Sequence, residues 1–315
     1  MQSTAGSHVR RQPDSLTEQI GEALEWGTVP LAQGPLVFVG IGSSAIAAEL
    51  VAGYVAETTD VFVPVLSGKD VPGWIGAGTQ AVLISYSGDT EEVLSAYSVL
   101  MERGSSVVAV TSGGALARSA EENGTPLVRL PGGSTSRGSL GYMVGALASM
   151  VQASGVCAVA DRLRDIVGSM EVPGSPSSSG LEAERIARAV SGKVPVIYGQ
   201  PDVHPACMRW RFQTVEEVSG LCFDGAIPEY NHNEIIAWTQ DYCNKGRFVP
   251  VFLYDEGWSD TVRAFTEASI ELIERHGVGC VVTRFDGADV LEKNLKLIRI
   301  GDMVAARMKH KRSGS

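Results

Sequence analysis

Two short loops carry residue types suited to holding an anion. Gly40-Ile41-Gly42-Ser43-Ser44-Ala45 follows an apolar run and opens a helical pattern, and Ser85-Tyr86-Ser87-Gly88-Asp89-Thr90 has the same placement further along. Glycine lets the backbone turn sharply toward a ligand, and the first amides of a helix lack partners of their own. In the second loop three hydroxyls and a glycine form a neutral cradle that suits a phosphate monoester. Each loop also has a plainer reading: a tight turn for the first, and for the second an N-cap in which Ser87 or Thr90 leads into Glu91 and Glu92. The readings are compatible, because the same amides serve both.

Other chemistries fit these residues less well. Gly-x-Gly-x-x-Ala loosely matches a dinucleotide-binding turn, which needs an acidic residue closing the next strand; Val61 to Leu66 ends instead in Ser67-Gly68-Lys69. A nicotinamide-dependent dehydrogenase built on Gly40 and Gly42 is therefore a weak alternative, and no cofactor is expected. Asp202 with His204, and Glu229 with Glu234, pair metal-binding types, but neither pair has a third ligand at a suitable spacing, so no metal is expected.

The elements that must position the loops read as alternating strands and helices. Leu36–Val39, Val61–Leu66, Ala81–Ser85, Ser106–Val110 and Pro126–Leu130 are short apolar strand candidates. Helical patterns lie between them at Ala45–Val55, Thr90–Glu102 and Ala115–Asn123, and a small, apolar helix follows at Gly138–Ser154. The alternation restarts with helices at Leu181–Ser191, Val203–Val218, Ser259–His276 and Ala288–Met308, and strands at Val194–Tyr198, Leu221–Phe223, Phe248–Tyr254 and Cys280–Phe285. Such a rhythm predicts an α/β protein of two lobes, each a parallel sheet flanked by helices. Pro64 and Pro250 inside strand runs predict edge positions or strand starts. The predicted layout is a disordered N-terminus over 1–15, a first lobe over 16–170, a Pro/Gly/Ser linker over 171–180, a second lobe over 181–308 and a basic tail over 309–315.

Composition narrows the partners. The chain has 315 residues, 44% of them hydrophobic and 20% charged, enough apolar surface to build a sizeable core. A formal charge of −10 opposes nucleic-acid binding, which needs a basic face. The five cysteines are odd in number and lack a Cys-x-x-Cys pair, which argues against a disulfide framework or a structural zinc site. No run of about 18 apolar residues and no apolar signal core appear, so a cytoplasmic protein without membrane contact is expected.

The two loops together resemble the sugar isomerase (SIS) domain, through Gly-x-Gly-Ser-Ser and Ser-x-Ser-Gly-x-Thr. The second half is similar to bifunctional phosphoglucose/phosphomannose isomerases in Arg209-Trp-Arg-Phe-Gln-Thr-Val-Glu-Glu217 and Pro228-Glu-Tyr-Asn-His-Asn-Glu-Ile235. Arg137-Gly-Ser-Leu-Gly-Tyr142 is similar to that family's arginine followed by Leu-Gly-Tyr, and the likeness runs from about Leu36 to Arg307.

This resemblance implies two SIS lobes, a homodimer with active sites at its interface, and aldose–ketose isomerisation of a phosphorylated sugar through an enediolate. Gly42, Ser43, Ser44, Ser85, Ser87 and Thr90 would hold the phosphate. Glu216 falls at the family's catalytic base, His232 at its ring-opening histidine shared across the interface, and Arg137 at the residue that stabilises the enediolate charge. A base of this kind is expected to avoid a cation partner and to be partly desolvated.

Two departures from the family stand out. The family carries Asn-Glu-Asn and a downstream lysine around its base, where this chain has Val215-Glu216-Glu217 and Ser219. The family's lysine beyond the last helix has no aligned counterpart; Lys309 and Lys311 are candidates, within what reads as a solvated tail. A glucose, mannose or fructose 6-phosphate substrate leads, with a seven- or eight-carbon ketose phosphate behind it. A phosphosugar-binding regulator is the rival outside enzymology.

Overall fold

The computed structural model describes residues 15–170, 178–240 and 246–313. The expected disordered segment lies outside these except for Ser15, and so does the linker up to residue 177.

The first lobe begins with α1 (Leu16–Leu24), closed by a capping box in which Ser15 Oγ accepts from the Glu18 amide and the Glu18 carboxylate accepts from the Ser15 amide. There follow β1 (Leu36–Gly40), α2 (Ser43–Thr58), β2 (Val65–Leu66), β3 (Gln80–Ile84), α3 (Glu91–Glu102), β4 (Ser106–Thr111), α4 (Gly114–Asn123), β5 (Leu127–Arg129), α5 (Leu140–Ala153) and α6 (Val159–Ser169). The second lobe holds α7 (Ser178–Val190), β6 (Val194–Gly199), α8 (His204–Val218), β7 (Phe223–Ala226), α9 (Glu234–Thr239), β8 (Phe248–Asp255), α10 (Asp260–Arg275), β9 (Val281–Phe285) and α11 (Val290–Ser313).

Both sheets are wholly parallel, in the orders β2-β1-β3-β4-β5 and β7-β6-β8-β9. Strands β1 and β3 are buried along their entire length, as strands covered on both faces must be. One core runs through both lobes, joining Ile46 and Leu50 of α2 to Trp210 of α8 and to Leu297 and Ile298 of α11. Smaller cores cover the outer faces of the two sheets.

Strand order decides where a ligand can enter. The chain leaves β1 toward β2 on one side and then continues from β3 on the other, so a crevice opens beyond the carboxyl ends of β1 and β3. The two hydroxyl-rich loops leave from those ends. In the second lobe the corresponding crevice, between β6 and β8, contains an ion pair: Lys293 Nζ lies 2.7 Å from Asp255 and 3.9 Å from Asp202.

Several predicted elements differ from the structure. Only Val65–Leu66 of the predicted Val61–Leu66 strand pairs, at the sheet edge, consistent with Pro64. Pro250 is instead on an interior strand; it precedes the β9 ladder, which starts at Val251, so β8 is flanked at that position by β6 alone. The predicted strand at Leu221–Phe223 lies later, at Phe223–Ala226. Helix α7 already begins at Ser178, inside the expected linker. The basic tail expected from residue 309 is helical instead, because α11 continues to Ser313.

Candidate active site

The β1–α2 turn is built around Gly42, whose φ of +64° is left-handed and therefore favours glycine. It caps α2, and the first intrahelical bond runs from the Ile46 amide to the Gly42 carbonyl, at 3.0 Å. Ser43 and Ser44 are the first two residues of α2, directly after this cap, and are buried. The first six residues of α2, Ser43 to Ala48, are all buried, so its positive end acts in a poorly screened setting.

The β3–α3 loop is locked by hydrogen bonds. Ser85 Oγ lies 2.8 Å from Thr90 Oγ1 and accepts from the Gly88 amide at 3.1 Å. Gly88 carries a φ of +74°, and any Cβ there would collide with the Gly113 carbonyl of the next loop. The Asp89 carboxylate accepts from the Ala115 amide at the start of α4 at 2.8 Å, and the Gly88 carbonyl accepts from Leu116. Two adjacent loops thus hold each other, fixing Ser87 and Thr90 before any ligand arrives.

The catalytic candidates reach the same space from other elements. Tyr86 donates to the Pro131 carbonyl at 2.9 Å and accepts from the Ser134 amide at 3.1 Å, fixing the segment that leads to Arg137. The Arg137 carbonyl accepts from Arg209 at 2.9 Å, and the neighbouring Gly138 carbonyl accepts from Gln19 at 2.7 Å. Arg209, nearly buried on α8, forms a bidentate pair with Asp302 of α11 at 2.8 and 2.9 Å, and Gln213 donates to the same carboxylate at 2.7 Å. The arginine-bearing turn is thereby registered against the helix that carries Glu216.

The result is a cavity of about 370 Å³ lined by Gly42, Ser43, Ser44, Ser87, Thr90, Arg137 and Glu216 among others. Seven of the nine predicted site residues line it. Ser85 stands behind, holding Thr90. His232 is exposed, in a turn that follows β7, and does not line this cavity within the chain. The expectation that Glu216 avoids a cation does not hold here: it is ion-paired with Arg137, and its side chain is 46% exposed.

Sequence reasoning passed over Tyr86, Thr135, Ser136 and Phe212, which also line the cavity. Three of these lie inside or directly beside quoted motifs, and that adjacency was the available signal. It also set Lys309 in a solvated tail; the structure puts Lys309 Nζ 2.7 Å from Glu217. Glu217 in turn lies 2.8 Å from Arg137. Hydrogen bonding from Lys309, and then the charge of Arg137, hold the Glu217 carboxyl below the usual carboxylate range against the effect of partial burial. Hydrogen bonding to Glu216 raises the Arg137 guanidinium above its ordinary value, so it stays charged. Among the described residues no helix is long and apolar enough to cross a membrane.

Two parallel α/β lobes with a hydroxyl-lined cradle at the β1/β3 crevice define a protein of the SIS class. Residues 32–128 match the SIS domain, and residues 181–311 match the bacterial phospho-glucose isomerase C-terminal SIS domain. The fold is shared with the C-terminal domain of glucosamine-fructose-6-phosphate aminotransferase from Francisella tularensis, with a TM-score of 0.66, 14% identity, and coverage of 95% of this chain and 94% of that one. The bifunctional phosphoglucose/phosphomannose isomerase of Caldicellulosiruptor bescii is 30% identical over 257 residues, 76% of this chain and 75% of the relative. The enzyme of that name from Aquifex aeolicus is 26% identical over 272 residues, 86% and 82% of the two chains. The chain belongs to the bifunctional phosphoglucose/phosphomannose isomerase family.

Proposed function

We propose that this chain is an aldose–ketose isomerase of a phosphorylated sugar, interconverting glucose or mannose 6-phosphate with fructose 6-phosphate. The observation that carries this reading is the meeting of a carboxylate and a guanidinium, Glu216 and Arg137, in the cavity that also holds the hydroxyl cradle. A binding module needs the cradle; moving a proton also needs the pair.

The phosphate binds at the amides of the α2 N-terminus and the hydroxyls of Ser43, Ser44, Ser87 and Thr90, with Ser85 bracing Thr90. Neutral donors and a helix dipole suffice for this in a chain with a charge of −10. Ring opening moves a proton between the ring oxygen and the anomeric hydroxyl, work for the imidazole of His232 contributed by the partner of a homodimer. Apolar side chains exposed on the same lobe, Leu221, Phe223 and Ile236, are surface that a partner subunit would cover. Glu216 then takes the proton from one carbon and returns it to its neighbour, passing through an enediolate. Arg137 leaves Glu216 to meet the developing oxyanion, which releases the base as it stabilises the intermediate.

Proton NMR of fructose 6-phosphate incubated with the protein in heavy water tests this. Aldose phosphate carrying deuterium at carbon 2, absent with Glu216→Gln, supports the mechanism and identifies the epimers formed. Ligand binding without turnover or exchange, for this substrate and for seven- and eight-carbon ketose phosphates, would turn the reading toward a phosphosugar-binding regulator.

A further inference from the structure

Glu217 directly follows Glu216 near the end of α8, and its geometry is specific. Arg137 Nη1 engages Glu216 Oε2, while Nη2 lies 2.8 Å from Glu217 Oε1. The other oxygen of Glu217, Oε2, lies 2.7 Å from Lys309 Nζ on α11. Four charges thus form a chain, Glu216–Arg137–Glu217–Lys309, with two of each sign. The Glu217 side chain is 22% exposed and that of Glu216 46%, so the inner carboxylate is the better shielded of the two.

We propose that Glu217 and Lys309 are positioning residues that set how strongly Arg137 binds the base. This rests on the reading of Glu216 as the base. A base bound by an undivided guanidinium is a poor proton acceptor, because the ion pair favours its ionised form. Glu217 draws the other half of the guanidinium toward itself and weakens that hold. Lys309 limits the effect by neutralising part of the Glu217 charge, so Arg137 remains free to turn to substrate. Other charged groups nearby are spoken for: Arg209 and Asp302 engage each other on α8 and α11.

The two residues therefore act on Glu216 in opposite directions. Removing Glu217 leaves Arg137 and Lys309 facing one carboxylate, so Glu216 is deprotonated more readily. Removing Lys309 leaves an excess anion, so Glu216 is deprotonated less readily.

The experiment is a pH titration of Glu216 by carboxyl carbon-13 NMR of the full chain labelled at glutamate, with the resonance assigned from Glu216→Gln. The expected midpoint falls in Glu217→Gln and rises in Lys309→Met, and Glu217→Asp and Lys309→Arg return it part of the way. The acid limb of kcat/KM for fructose 6-phosphate moves in step, and kcat drops several-fold in Glu217→Gln while KM stays within a factor of about two. Midpoints that do not move, or that move in the same direction in both variants, overturn the proposal. The titration needs no turnover, so an inactive wild type would sink the isomerase reading while leaving this coupling decided on its own. Loss of folding would appear as collapsed carbon-13 dispersion, and the Asp and Arg variants then carry the test.

Discussion

Glu216 and Glu217, adjacent in sequence, bind the two terminal nitrogens of one guanidinium, that of Arg137. Successive helical residues usually point apart. Here both lie at the end of α8, which stops at Val218, and Ser219 takes a left-handed φ of +52°. The helix end lets both carboxylates reach one partner arriving from the turn before α5. Under the proposed mechanism Arg137 holds the base through this ion pair and then becomes the oxyanion's partner as the reaction proceeds.

That double role makes Arg137→Met informative. Loss of an oxyanion donor costs roughly 10²–10³ in kcat, and freeing Glu216 from its ion pair does not recover it. Steady-state kinetics with fructose 6-phosphate should show the drop in kcat with KM far less affected. A change confined to KM would assign Arg137 to ground-state binding instead.

The cradle gives a contrasting signature. Thr90 lines the cavity and is held by Ser85 at 2.8 Å. In the proposed mechanism the phosphate held there does not react, so its contacts are the same in ground state and transition state. Thr90→Val is expected to raise KM about tenfold, the equivalent of roughly one hydrogen bond, with kcat near the wild-type value. An equal loss in kcat would show that the loop also orients the reacting carbons.

Beneath the site, Arg209 is 4% exposed, and its charge is met by Asp302 through two hydrogen bonds. Asp302→Ala leaves that cation buried with only the Arg137 carbonyl as a described acceptor and takes the acceptor from Gln213. Breaking a buried pair from one side costs about 3 kcal/mol or more. Urea unfolding followed by circular dichroism measures this. Turnover should fall as well, because the turn carrying Arg137 loses its anchor. A loss of stability within a few tenths of a kcal/mol would mean that water replaces Asp302.

Much of this was legible in the residues, and the limits have physical causes. The glycines and hydroxyls of both loops could be read as a candidate anion site from the sequence because their chemistry is local: a turn, a helix start, a row of donors. Both loops do line one cavity. The β1–α2 and β3–α3 placements followed from apolar runs too short to be anything but buried strands. The Arg209–Asp302 and Glu217–Lys309 pairs were not legible, since each joins α8 to α11 across about 90 residues, and no periodicity encodes which charges meet. Lys309 looked like a solvated tail for the same reason: a basic run reads as helix or coil according to what it packs against. The short α9 offers too few residues for a periodic signal, and α1 declares itself mainly through its capping box.

Away from the site, His204 sits at the start of α8, with Nδ1 3.3 Å from Glu49 of α2 and Nε2 3.8 Å from Asp224 of β7, the latter also paired with Arg211. Hydrogen bonding to Glu49 raises its pKa above the ordinary 6.5, with burial opposing and the charges of Glu49 and Asp224 assisting. A raised folded-state pKa gives stability that is fully present below the unfolded value and lost as pH climbs through the folded one. The stability difference between wild type and His204→Gln should therefore be largest near pH 6 and fade above neutrality, with a small amplitude because the ring is half exposed. Urea titrations at a series of pH values check this; a gap that widens with pH would reverse the assignment.

The proposal of a site shared between subunits makes the sharpest prediction. If His232 of one subunit serves the cavity of the other, Glu216→Gln and His232→Ala homodimers are both inactive, for different reasons. In a mixed dimer one cavity receives both lesions and the other receives none. Random exchange makes half the dimers mixed, so mixing equal amounts should restore about one quarter of wild-type turnover. The recovery should follow the time course of subunit exchange and depend on protein concentration. Two inactive variants that stay inactive after exchange, confirmed by mixed species in native mass spectrometry, would place His232 in its own subunit's chemistry or in none.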